Sequence, residues 1–115
     1  MTDIGIGALS FHVPHRYIAL SELAERHGID PDKFSRGIGQ DKIALPGQDE
    51  DIVTMAAEAA RVILDARGTD GIDTVLFATE TGIDQSKAAG IYLHSLLGLP
   101  ANCRHVELKQ ACYSA

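Results

Sequence analysis

The spacing of apolar residues changes period several times along the chain, and each change predicts an element. From Ile4 to Phe11 small and apolar residues predominate until Pro14, the pattern of an opening strand followed by a turn. Leu20 to Arg26 predicts a short helix capped by Ser21 and stopped at Gly28. Asp30-Pro31 predicts a second helical turn to about Arg36, with a flexible loop over residues 37–40. Ile43 to Leu45 reads as a brief strand ended by Pro46-Gly47.

The clearest signal follows. Ile52, Met55, Ala56, Ala59, Ile63 and Ala66 recur at helical spacing, with acidic Asp49, Glu50 and Asp51 at the positive end and Gly68 as a C-cap. The run TVLFAT, Thr74 to Thr79, is continuously apolar with β-branched ends and too short for a buried helix, which predicts a central parallel strand. A helix over Asp84 to Leu97 is ended by Gly98 and Pro100, and Arg104 to Leu108 then alternates polar and apolar positions as a strand does. The order βα(β)αβαβ places the chain in the α/β class. Nothing marks a second domain, a repeat or a low-complexity tract, and the last residues run into a further predicted helix.

Composition adjusts this picture modestly. With 115 residues, 45% hydrophobic and 23% charged, the chain has the make-up of a globular domain, but it is short for an α/β domain that covers both faces of a parallel sheet. A formal charge of -6 without runs argues against a nucleic-acid or anionic-membrane partner, so a phosphate ligand needs local donors. No segment has the make-up of a signal peptide or the length of a bilayer span, and the expected location is the cytoplasm. Cys103 and Cys112 match neither a redox pair nor a zinc pair and are expected to be free thiols. His12, His15, His27, His94 and His105 form no metal motif, and His94 and His105 read as a helix-surface and a strand-edge histidine.

Two residues stand where chemistry is usually placed. Cys112 follows a predicted strand among small residues, QACYSA, where a sharp strand-to-helix turn would hold its sulfur at a helix N-terminus. The dipole there favours a thiolate, and Lys109 adds a positive charge. A buried structural cysteine satisfies the same pattern. Glu80 comes directly after TVLFAT, at the carboxyl end of a parallel strand, the side of an open α/β sheet where ligands collect; an ordinary solvated glutamate is the alternative. Two such strand ends on one rim would bring thiol and carboxylate together. Gly5-Ile6-Gly7 and Gly37-Ile38-Gly39 lack the third glycine and the flanking strand and helix of a dinucleotide fingerprint. Lys33, Arg36 and Gly37 could still touch a phosphate, though a mobile surface turn is the simpler and favoured account.

The segments ATETGIDQSKAA, residues 78–89, and ELKQACYSA, residues 107–115, resemble bacterial 3-hydroxy-3-methylglutaryl-CoA synthases. Supporting stretches are Val13-Pro14, residues 30–34 through 37–40, residues 48–54 and residues 94–98, so the resemblance runs the length of the chain in register. It implies the thiolase-like αβαβα architecture of two similar halves, with residues 1–115 an incomplete domain, the front of the first half. It also implies that Cys112 carries an acetyl group taken from acetyl-CoA and that Glu80 is the general acid/base. The acetyl group then condenses with acetoacetyl-CoA in the mevalonate route, without a metal or redox cofactor, in a homodimeric enzyme. The family's catalytic histidine and asparagine lie beyond the cysteine, so residues 1–115 alone are expected to lack full synthase activity. A polyketide-pathway relative acting on a carrier-protein thioester shares this chemistry. A fatty-acid-type ketoacyl synthase lacks a glutamate in the role of Glu80, and a non-catalytic thiolase-like interaction protein is opposed by the presence of both Cys112 and Glu80.

Overall fold

The computed structural model of the chain describes residues 4–110, which divide into two units: residues 13–50, and residues 4–12 together with 51–110. Both mix strands and helices, and the second alternates them, consistent with the α/β class.

The 13–50 unit is a small β-hairpin-like pair carrying two helices. Strand β1, Arg16–Ala19, pairs antiparallel with β2, Lys42–Leu45, from Arg16↔Leu45 to Ala19↔Lys42. Helix α1, Leu20–His27, begins directly where β1 ends and buries Leu20 and Ala24. Ser21, predicted as its cap, lies inside the helix. Ala19 holds the N-cap position without a side-chain bond, and the orphan Leu20 N–H is satisfied instead by the Asp41 carbonyl at 2.9 Å. Gly28 ends the helix at φ 64°, where a residue with a Cβ is strained. Helix α2 is a single turn, Asp32–Ser35, entered through Pro31, with the Asp30 carboxylate accepting from Asp32 N at 3.0 Å.

The strand predicted over Ile4 to Phe11 does not form. Among the described residues this segment has no strand neighbour, and a strand without one leaves its ladder groups unpaired. Ile4, Ile6, Leu9 and Phe11 are exposed, and the segment is tied down by Ser10 Oγ donating to Ala59 O and Arg67 Nη2 donating to Gly7 O, each at 2.6 Å.

Residues 51–110 hold the larger core. Helix α3, Ile52–Arg67, starts with a capping box: Asp51 accepts from Val53 N at 2.9 Å and Thr54 N at 2.8 Å, and Thr54 Oγ1 accepts from Asp51 N at 2.8 Å. These bonds, the Thr54 backbone bond first, hold the Asp51 carboxyl below its ordinary value. Strand β3, Thr74–Ala78, pairs parallel with β4, Arg104–Leu108, from Thr74↔Arg104 to Ala78↔Leu108, and helix α4, Ala89–Leu97, makes the crossover between them. Val53 and Ala57 of α3, Phe77 of β3, and Ala89 and Leu93 of α4 form the buried cluster. The apolar stripe read along α3 is therefore offset by one residue: Ile52 and Ala56 pack at its margin and Ala66 is exposed. Among the described residues β3 has β4 as its one neighbour, and Leu76 on its other face is open.

Helix α4 starts five residues later than its predicted start at Asp84. Asp84 Oδ1 accepts from Ser86 N at 2.7 Å and Lys87 N at 3.0 Å, an Asx turn that competes with the first helical turn. Ala88 stays extended, and the helix begins at Ala89.

Candidate active site

The site is built where β3 and β4 end side by side. The pairing runs one step past β3, with Thr79 N donating to Leu108 O at 3.0 Å, and Thr79 is itself buried. The Thr79 hydroxyl then accepts from Thr81 N at 3.1 Å, closing a turn that presents Glu80 on the exposed carboxyl rim. This is the placement predicted for Glu80, and the strand that leads in sequence to Cys112 is its immediate parallel neighbour. Cys112 itself lies outside the described residues. Gln110, two positions before it in sequence, adopts φ 58°, the left-handed region that a residue with a Cβ seldom takes.

Beneath this rim lies a buried carboxylate. The Glu107 side chain is 8% exposed; its Oε2 accepts from Ala89 N at 2.7 Å, and its Oε1 pairs with Lys109 Nζ at 2.7 Å. The Lys109 bond, then the Ala89 bond, hold the Glu107 carboxyl below the usual glutamate range against the effect of burial. Lys109, predicted as a positive charge for the cysteine, thus has its ammonium on Glu107. Gly82, two residues after Glu80, lies directly over the pair: a Cβ there would meet Lys109 Nζ and would approach Glu107 Oε1 to 2.5 Å.

The 84–92 segment carries a second polar group. Tyr92 Oη donates to Asp84 Oδ2 at 3.1 Å, and Lys87 Nζ stands 3.9 Å above the Tyr92 ring. Three donors hold Asp84 below the ordinary carboxylate range, the Ser86 N–H first, while the bond to Asp84 raises the Tyr92 hydroxyl. A shallow depression of about 190 Å³ lies between Asp84, Lys87, Ala88, Glu107 and Lys109.

His94 and His105, predicted as separate surface residues, meet. His94 Nδ1 and His105 Nε2 are 2.9 Å apart with the rings edge-on, because the β4 register sets residue 105 under α4. Burial first, and His94 second, push the His105 imidazole below its ordinary value. Cys103 is a buried free thiol. Among the described residues no three His, Cys, Asp or Glu side chains are grouped to hold a metal ion, and no helix is long and apolar enough to cross a membrane.

Lys33, Arg36 and Gly37 belong to the 13–50 unit, whereas Glu80 belongs to the other. All three are exposed, and Arg36 Nη1 pairs with Asp32 at 3.3 Å. Gly37 has a local packing reason: a Cβ there would collide with the Lys33 carbonyl.

The family model described as hydroxymethylglutaryl-coenzyme A synthase N terminal matches residues 1–115. The chain belongs to the hydroxymethylglutaryl-CoA synthase family. It is 48% identical over 112 residues to the Enterococcus faecalis hydroxymethylglutaryl-CoA synthase, a match covering 97% of this chain and 29% of that relative. It is 38% identical over 118 residues to the Bacillus subtilis polyketide biosynthesis 3-hydroxy-3-methylglutaryl-ACP synthase PksG, covering 99% and 28%. A crystal structure of an HMG-CoA synthase complexed with CoA superposes with a TM-score of 0.86 at 42% identity, over 96% of this chain and 28% of that one. The chain thus spans less than a third of the relatives it matches, and the thiolase-like fold implied by the 78–89 and 107–115 segments is the fold of these synthases. Sequence reasoning placed Glu80 just past the carboxyl end of β3, where the structure has it. It did not single out Glu107 or the contact of the two histidines, whose one signal was the period-2 placement of His105 and Glu107 on one face of β4.

Proposed function

We propose that this chain supplies the acetyl-accepting thiol and the general base of a 3-hydroxy-3-methylglutaryl-CoA synthase. The observation that carries this reading is the Thr79–Leu108 bond, which fixes the Glu80 turn to the end of the strand leading to Cys112. Cys112 thiolate attacks the carbonyl of acetyl-CoA; the bond from that carbon to the CoA sulfur breaks, and CoA leaves as a thiol on taking up a proton. Glu80 takes a proton from the methyl group of the acetyl thioester, and the resulting enolate carbon bonds to the ketone carbon of acetoacetyl-CoA, whose oxygen becomes a hydroxyl on protonation. Water then cleaves the Cys112 thioester, giving 3-hydroxy-3-methylglutaryl-CoA with a free carboxylate. Backbone N–H groups near Cys112 stabilise the oxyanions, and no metal or redox cofactor takes part.

Lys33, Arg36 and Gly37 are assigned to the phosphates of the CoA nucleotide, where exposed cations on a short turn serve as point charges. The complete protein is a cytoplasmic homodimer. Residues 1–115 alone lack turnover, because groups that polarise the acetoacetyl ketone are supplied from beyond Ala115.

Intact mass before and after brief exposure of the complete protein to acetyl-CoA tests the reading. One added acetyl group, absent from Cys112→Ser, supports it; an unmodified protein counts against it. A second reading, condensation on a carrier-protein thioester, is favoured by the 38% identity to the Bacillus subtilis ACP synthase and to the curacin-pathway HMG synthase solved with its donor ACP. The higher identity to the Enterococcus faecalis enzyme favours CoA. Rates with acetoacetyl-CoA against acetoacetyl carrier protein separate the two.

A further inference from the structure

We propose that Glu107 is a positioning residue that couples the turn bearing Glu80 to the segment bearing Cys112, an inference that rests on the roles assigned to those two residues above. Three structural facts converge on its carboxylate. Its Oε2 accepts from the first backbone N–H of α4, Ala89 N at 2.7 Å. Its Oε1 takes the ammonium of Lys109 at 2.7 Å, three residues before Cys112. The same oxygen lies against Gly82, two residues after Glu80, where even a Cβ would come within 2.5 Å.

A carboxylate at 8% side-chain exposure is a costly way to cap a helix, since a serine or aspartate at position 88 would cap α4 from its own N-terminus by accepting from the second or third N–H. The cost is offset in part by the Ala89 N–H bond on Oε2 and the ion pair with Lys109 on Oε1. The geometry does more than cap. Because the 79–82 turn is closed by Thr79 and floored by the Glu107–Lys109 pair, a shift of that pair moves Glu80 and the exit from β4 together. Proton abstraction by Glu80 from an acetyl group carried on Cys112 depends on the spacing of the two residues, and a displacement of about 1 Å can lower a rate by about a hundredfold. Glu107 touches neither substrate nor the reacting atoms in this account; it acts through Lys109 and Gly82.

The test uses the complete protein with Glu107→Gln, Lys109→Met and Lys109→Arg. Glutamine keeps an oxygen for Ala89 N but turns an amide towards Lys109. Methionine removes the ion pair from a side chain that is 59% exposed, so the core is spared if the glutamine variant fails to fold. Two rates are read on each: acetylation of Cys112 by mass in a single turnover, and exchange of the bound acetyl methyl protons with D2O, which reports Glu80. The expected result is a loss of ~10- to 100-fold in both rates for Glu107→Gln and Lys109→Met, little change in KM for acetyl-CoA, and recovery in Lys109→Arg. Unchanged rates with a lowered melting temperature would reduce Glu107 to a structural cap and overturn the proposal. A defect confined to acylation would also overturn it, by assigning Lys109 to the thiolate alone. Failure of the unsubstituted protein to acetylate at Cys112 would sink the functional reading itself, and this proposal with it, and is distinguished from the other outcomes by that control.

Discussion

The 33–37 turn and the β3–β4 rim both carry cations and glycine, yet they are held in opposite ways. Around Lys33 and Arg36 the contacts are local: the Arg36–Asp32 pair spans one helical turn, its partners are 83% and 57% exposed, and Gly37 answers only to the Lys33 carbonyl. At the rim, Gly82, Ala89, Glu107 and Lys109 come from three separate stretches of chain and meet on one buried carboxylate. Solvent screens the first arrangement, so it suits a loose electrostatic contact with a phosphate. The second is shielded and over-determined, as a site must be if it fixes a base against a carbon acid. Substitutions at the rim should therefore cost rate, and substitutions in the turn should cost affinity.

The sharpest contrast is at the reacting groups. Cys112→Ser should abolish the acetyl-enzyme seen by intact mass, while Glu80→Gln should keep acetylation and lose condensation by about 10²- to 10⁴-fold. Parallel loss of both steps in Glu80→Gln would remove it from the role of base. Next in size is Gly82→Ala. The Lys109 side chain can swing clear of the new methyl group, but the buried Glu107 cannot, so a destabilisation of about 1–3 kcal/mol is expected together with a lower condensation rate. Urea midpoints and steady-state rates on the same preparation measure the two effects. A neutral outcome in both would mean that the glycine is not needed over the ion pair.

Legibility in the sequence follows the same division between local and distant contacts. Helix α3 and strands β3 and β4 were readable because period, cap and breaker lie within a few residues of one another, and Glu80 followed from the end of TVLFAT. Strand β1 was not, since four residues beginning with Arg16 and Tyr17 become a strand only through β2, twenty-odd residues on. The Ile4–Phe11 segment shows the converse, an apolar run without a described neighbour to pair with. The late start of α4 turns on one side chain, Asp84, choosing its own backbone over the helix. Glu107 and the His94–His105 contact depend on tertiary register, which no single stretch of sequence contains. Cys112, chosen from its motif, lies outside the described residues.

The histidine pair gives a smaller effect with a definite sign. Burial lowers the His105 pKa in the folded protein, so below its ordinary value of 6.5 the unfolded chain takes up a proton that the folded chain resists. The stability associated with the neutral ring is present above pH 6.5 and is lost as pH falls from there towards the folded value. Glu107 acts in the same direction at lower pH: its lowered pKa stabilises the fold above 4.5, and that contribution is lost as pH falls below it. Denaturant midpoints at pH 7.5, 6.5 and 5.5 should decline for the unsubstituted protein and decline less for His105→Gln. Equal slopes would place the ring's titration outside the folding equilibrium.

The smallest effects belong to the 33–37 turn. An exposed ion pair contributes less than about 1 kcal/mol, so Lys33→Ala and Arg36→Ala should leave the thermal midpoint nearly unchanged. If these cations meet the CoA phosphates, each substitution should raise KM for acetyl-CoA a fewfold, about what one exposed charge contributes, and the increase should shrink as ionic strength rises. The maximal rate should hold, because the contacts of Arg36 and Gly37 are local to the turn and Arg36 is exposed. A fall in kcat with KM unchanged would invert the division drawn above, giving the turn a part in chemistry and leaving the nucleotide to be held by other residues.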